Sequence, residues 1–233
     1  MKCRGKKLFF YSLFLILVFF PSLTEAHLPR IVETNFTEVQ DSEVSQAFYG
    51  QLTGEPNFFK IDSGRPFKFY VGILVPDIKD AKKDISVDIT KNLDEKENKT
   101  FKYLLDGLKF NWEKFYEPFG GDSYWQGPEV RNDAAAGIYN IRVFSQNNFG
   151  KYVLVVGEKE EISGQEMLST IKTLPKLKKD FFGKSPLTAY FNYIGLFMLV
   201  FILSMVLIVL LSVWIYKIIK RYVLAVAAQN KTL

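Results

Sequence analysis

Chemistry in this chain would have to come from a short list of residues. His27 is the only histidine and Cys3 the only cysteine in 233 residues. A Ser-His-Asp or Cys-His arrangement inside a folded domain is therefore excluded unless the chain end itself serves. No Cys/His spacing of the zinc type occurs, and Gly120-Gly121 follows a bent aromatic stretch rather than the strand that a phosphate loop requires. Glu113 and Glu117 would share a helix face, but such carboxylate spacing is too common to indicate a glycosidase pair. These residues point to a chain that is not an enzyme. If a signal peptidase cuts after Ala26, His27 becomes the first residue, and its amine and Nδ1 could chelate Cu(II). A tetragonal copper site would still need carboxylate or water to complete it. The alternative is an ordinary polar residue just past the cut.

The other candidate is aromatic. Trp112, Phe115, Tyr116, Phe119, Tyr124 and Trp125 crowd one stretch, with Pro118-Phe119-Gly120-Gly121-Asp122 bending it. Flat rings stack on sugar faces or partner side chains at little entropic cost. On this reading Trp112, Tyr116, Asp122, Tyr124 and Trp125 bind the ligand, with Tyr124 and Trp125 beside the bend the most exposed. Glu113, Glu117, Asp122 and Glu129 are hard oxygen donors of the kind that Ca²⁺ takes. The competing reading makes the rings a plug for one open end of the fold.

The elements that must hold these residues are mainly strands. Residues 46–52 and 57–61 are separated by the turn Thr53-Gly54-Glu55-Pro56, and 67–75 ends at Pro76. Ile85, Val87 and Ile89 alternate with Ser86, Asp88 and Thr90, the period-2 pattern of a half-buried strand. Residues 137–145 place Tyr139, Ile141 and Val143 on one side and Ile138, Asn140, Arg142 and Phe144 on the other. After a turn, 151–156 closes the set at Gly157. Residues 30–46 read as a polar lead-in with one short strand at most, 91–99 as a solvated loop, and 101–111 as a strand pair or short helix. Short strands with these turn signals indicate a mainly β fold, an antiparallel, jelly-roll-like β-sandwich.

The runs Tyr49-Gly50-Gln51-Leu52, Asn57-Phe58-Phe59-Lys60-Ile61, Ala136-Gly137-Ile138-Tyr139-Asn140-Ile141-Arg142-Val143 and Gly150-Lys151-Tyr152-Val153-Leu154-Val155-Val156 resemble the pre-peptidase C-terminal type of β-sandwich domain. The resemblance covers roughly 46–157. It implies a secreted module that binds or presents, and carries no catalytic motif. Fusion to a membrane helix departs from that family's usual setting beside an exoenzyme.

Two greasy segments set the location. Lys2, Arg4, Lys6 and Lys7 precede an apolar run over 8–20, and Ser22, Thr24 and Ala26 supply a cleavage site, so 1–26 reads as a signal peptide. An uncleaved anchor is the alternative. Residues 187–216 carry no charge and exceed the ~20 apolar residues that a bilayer needs, with Tyr190, Tyr193, Trp214 and Tyr216 near the ends. The expected order is a 27–160 extracytoplasmic domain, a 161–186 stalk or linker, one transmembrane α-helix over 187–216, and a short 217–233 cytoplasmic tail: a single-pass type I protein of the cell membrane. The net charge of +5 arises from the two basic ends. The middle is slightly acidic, so nucleic acid is not an expected partner. Asn35-Phe36-Thr37 and Asn98-Lys99-Thr100 are glycosylation triplets that mark surface. Three functions compete: a binding module for glycan or another envelope protein, a copper-handling protein using His27, and an accessory subunit of a larger membrane complex. Gly195, Ser204 and Ser212 form no small-xxx-small seam for tight helix pairing.

Overall fold

Eleven strands are described, in chain order β1 (Leu28–Ile31), β2 (Phe36–Val39), β3 (Gln46–Thr53), β4 (Asn57–Ser63), β5 (Phe67–Pro76), β6 (Ser86–Lys91), β7 (Lys102–Leu105), β8 (Glu113–Glu117), β9 (Asp122–Ala134), β10 (Gly137–Phe144) and β11 (Phe149–Val156). The structure is a computed structural model describing residues 27–91, 102–118, 120–161 and 163–229. The leader with Cys3, the Asn98-Lys99-Thr100 triplet, Phe119 and the last residues of the tail lie outside the described residues. The chain divides into two units, Met1–Phe115 with Tyr124–Thr173, and Tyr116–Ser123 with Leu174–Leu233.

The first unit is a β-sandwich. One sheet has the order β1-β3-β11-β5-β9-β8 and the other β2-β4-β10-β6-β7. The alternating residues face inward as their period requires: Ile85, Val87, Ile89, Ile141 and Val143 are fully buried, and Tyr139, Phe59, Phe69 and Leu154 join them. Each such side chain contributes about 1.5–3 kcal/mol relative to exposure, which lets the domain dispense with disulfides.

The sheets are mixed rather than wholly antiparallel. β1 runs parallel to β3, and β2 parallel to β4. The lead-in therefore supplies two strands where one at most is expected. Four-residue edge strands pair on one side only, so they need no strong alternation to form. The aromatic stretch is likewise not an isolated insertion. It enters β8 and then the thirteen-residue β9, which pairs antiparallel with β5. The register shifts between Gly72 and Leu74, opposite Gly127-Pro128, and a bulge is where a strand tolerates a proline. A methyl group on Gly127 would lie 2.5 Å from the Trp112 ring, so glycine there makes room for the indole.

The second unit is helical apart from the 116–123 bend. Helix α1 (Gly164–Lys176) reaches it from the first unit, opening on a capping box: the Glu166 amide donates to Ser163 Oγ at 3.2 Å, and the Ser163 amide donates to Glu166 Oε2 at 2.9 Å. Pro175 lacks an amide proton in the last turn, and the chain widens into one π-helical turn, Leu177–Phe181. Gly183, at φ +65°, reverses the chain. A 3₁₀ turn, Pro186–Tyr190, precedes helix α2 (Tyr193–Gln229).

The long helix thus begins six residues later than 187 and continues past Lys217. Asn192 sets its start, because Asn192 Oδ1 accepts the Gly195 amide at 3.1 Å, an N-cap bond. The other described residues cover none of its most apolar window, within Gly195–Leu224. From Gly195 to Tyr216 the helix rises roughly 33 Å at ~1.5 Å per residue, enough for a ~30 Å hydrocarbon core.

Candidate functional site

The five aromatic-stretch residues do not share one surface. Trp112 is buried in the sandwich core and donates from Nε1 to the Gly107 carbonyl at 2.7 Å. Tyr124, expected to be exposed, is 2% exposed, with its hydroxyl 3.1 Å from that of Tyr49. Consecutive residues of a strand point to opposite faces, so Tyr124 and Trp125 cannot form one platform. Trp125 is half-buried against the core, with Lys83 Nζ at 3.8 Å and Lys114 Nζ at 4.9 Å from its ring centre. Tyr116 alone of the five is well exposed. Trp112 packs inside the sandwich, whereas Tyr124 is buried on the face of its sheet opposite the core, beside Tyr49.

Asp122 is also buried, and its partners explain why. Its Oδ2 receives Lys178 Nζ at 2.6 Å and its Oδ1 receives Lys184 Nζ at 2.8 Å. Lys178 is 1% exposed and donates as well to the Gly120 carbonyl at 2.5 Å. Asn192 Nδ2 reaches the same carbonyl at 3.0 Å, and Glu117 Oε2 accepts the Gly120 amide at 2.6 Å. The bend and the segment leading into α2 are therefore one polar knot within the second unit. Asp122 serves there as a counter-ion. Three features had no sequence signal: the 56-residue separation of Asp122 from Lys178, the burial of that lysine, and its choice over its neighbours Lys176 and Lys179.

His27 lies in a cleft of about 300 Å³ with Tyr70, Glu129, Arg131 and Glu158. Its Nδ1, the atom a copper chelate needs, pairs with Ser45 Oγ. The other groups pair among themselves: Tyr70 donates to Glu129 Oε2 at 2.8 Å, Arg131 bridges Glu158 at 2.5 Å, and the guanidinium lies 5.2 Å from the Tyr70 ring. Burial, then the bond to Glu129, holds the Tyr70 hydroxyl well above the ordinary phenol range. Among the described residues no group of three His, Cys, Asp or Glu side chains is arranged to hold a metal. Glu113 and Glu117 lie on a strand, not a helix.

A surface absent from the sequence-based expectations runs across the five-stranded sheet. The registers place Phe36 beside Phe58, Phe58 beside Arg142, Arg142 beside Asp88 and Asp88 beside Leu104, one residue from each strand. All sit on the face opposite the core. Phe36, Phe58 and Leu104 are exposed. Arg142 bonds Asp88 Oδ2 at 3.2 Å and lies 4.7 Å from the Phe144 ring, while the buried Asp88 Oδ1 has no hydrogen-bond partner among the described residues. Five strands at ~4.8 Å spacing make the row about 19 Å long. One signal for it was legible: Phe58-Phe59 breaks the alternation, so one of the two rings had to face outward.

No family model matches the chain, and no curated protein matches it. Among solved structures it is similar to the pre-peptidase C-terminal domain of collagenase from Bacillus anthracis, at 9% identity and a TM-score of 0.28, over 57% of this chain and 97% of that one. That is the type of domain the strand and turn pattern resembles. The β-sandwich assignment rests on the strand order and registers given above.

Proposed function

We propose that this chain is a single-pass, type I binding module of the cell membrane, with its sandwich on the extracytoplasmic side and another envelope protein as its partner. It acts by binding rather than by turnover. The observation that carries this reading is the Phe36–Phe58–Arg142–Asp88–Leu104 row on the open sheet face. Exposed aromatic and arginine side chains are the anchors that dominate protein interfaces. A row about 19 Å long suits a protein surface better than one sugar ring. The glycan reading needs an open indole face, and lysines approach that of Trp125. The uncovered apolar helix supplies the anchor.

The test is photo-crosslinking in intact membranes from a probe at Phe58, with a probe at Trp125 as comparison. A discrete adduct from position 58, lost when Arg142→Glu is added, supports the reading. Adducts that ignore Arg142, or that form only at 125, overturn it. Protease added to intact cells tests the sidedness, since a spared sandwich would place it inside.

A further inference from the structure

We infer that the 116–123 bend is a second membrane contact, carrying Tyr116 into the lipid headgroup layer beside the start of α2. This rests on the reading of α2 as a membrane span. The bend belongs to the same unit as the helix. It is tied there by Lys178 and Asn192 on the Gly120 carbonyl, and Asn192 is also the residue that caps α2. The glycine at 121, at φ +70°, turns the chain so closely that a methyl group there would lie 3.1 Å from Asn192 Cβ, 3.8 Å from the Phe191 carbonyl oxygen and 3.7 Å from Tyr116 Oη. Tyr116 therefore stands at the level of the first turn of α2.

The most exposed large side chains around that level are aromatic or apolar. Phe191 is 83% exposed, Leu187 67% and Tyr116 59%, and Tyr190 and Tyr193 are also exposed. Large rings left uncovered immediately before the charge-free stretch of α2, which ends at Tyr216, are continuous with its lipid-facing surface. Tyrosine, apolar in its ring and polar at its tip, favours that boundary. A lipid surface fits better than a protein groove because the patch joins directly onto a helix that needs lipid on every side. A loop anchored beside the helix restrains the bend at two points instead of one.

The experiment uses the full chain with Cys3 replaced by Ser, reconstituted in phosphatidylcholine nanodiscs. A nitroxide is attached singly at Tyr116→Cys, Phe191→Cys or Val206→Cys. Collision with oxygen and with a water-soluble nickel chelate gives each depth. The label at 206 should read mid-bilayer, and those at 191 and 116 should both fall within the ~5–10 Å headgroup and acyl boundary. Chelate access at 116 equal to that of nitroxide-labelled free cysteine, with 206 buried, overturns this inference alone. A chelate-accessible 206 overturns the spanning reading and this inference with it. Tyr116→Trp, read by quenching from lipids brominated near the headgroup against the unmutated chain, repeats the measurement with a conservative change; absence of added quenching again counts against it.

Discussion

Replacing Asp122 with Asn should undo the second unit without unfolding the first. Asp122 and Lys178 are 3% and 1% exposed, and the carboxylate divides its two oxygens between Lys178 at 2.6 Å and Lys184 at 2.8 Å. The amide removes the only anion bonded to the buried ammonium among the described residues and leaves it the Gly120 carbonyl. Removing one member of a buried pair costs about 3–5 kcal/mol, because the remaining charge stays out of water. Lys184 is 43% exposed on its side chain, so Lys184→Ala should cost no more than ~1 kcal/mol. Lys178→Met in the Asp122→Asn background should recover most of the loss, since a well-packed apolar chain replaces an unpaired charge. Hydrogen exchange on the full chain in detergent reads this directly. The amides of Gly121, bonded to the Glu117 carbonyl, and Lys184, bonded to the Lys178 carbonyl, should exchange about 100- to 4000-fold faster in Asp122→Asn. Those of β6 and β10 should not change. Unaltered protection at both amides, or an effect of Asp122→Asn no larger than that of Lys184→Ala, would refute the argument.

Tyr124→Ala and Trp125→Ala should separate. The first opens a cavity at a buried site and should cost about 3–5 kcal/mol in thermal unfolding, the second clearly less, because its ring is partly solvated. Glu166 is held below the ordinary glutamate range by the Ser163 amide first, then by the Ser163 side chain, with Arg30 helping. A depressed folded value means the capping box stabilises α1 above that range and is lost as pH falls through the lowered value. Exchange of the first-turn amides against pH should show it, and a pH-independent profile would count against the box. Burial pushes the Tyr152 hydroxyl well up, with the Asn57 amide it accepts at 2.7 Å acting the other way, and Tyr70 is raised too. A raised phenol contributes stability that is complete below the ordinary value near 10 and is lost as pH rises beyond it. Ultraviolet titration should therefore show these two still protonated when exposed tyrosines have ionised.

Periodic features were legible without coordinates. Ile85, Val87 and Ile89, and Tyr139, Ile141 and Val143, point inward because a strand's side chains alternate whatever it packs against. The apolar helix was legible for a similar reason: an uninterrupted charge-free run has few other places to go. What depended on partners distant in sequence was not. The edge strands β1 and β2 exist through the backbones of β3 and β4, and their own four residues say little. Tyr124 and Trp125 are neighbours in sequence and both are expected outside, yet the sheet assigns them opposite faces and buries Tyr124. Asp122 reads as a surface acid until Lys178 and Lys184 arrive from the segment before α2. Local sequence determines which faces of an element are apolar, because that follows from its own repeat. Only the packed chain decides which rings and charges are covered, because desolvation is a property of the neighbours.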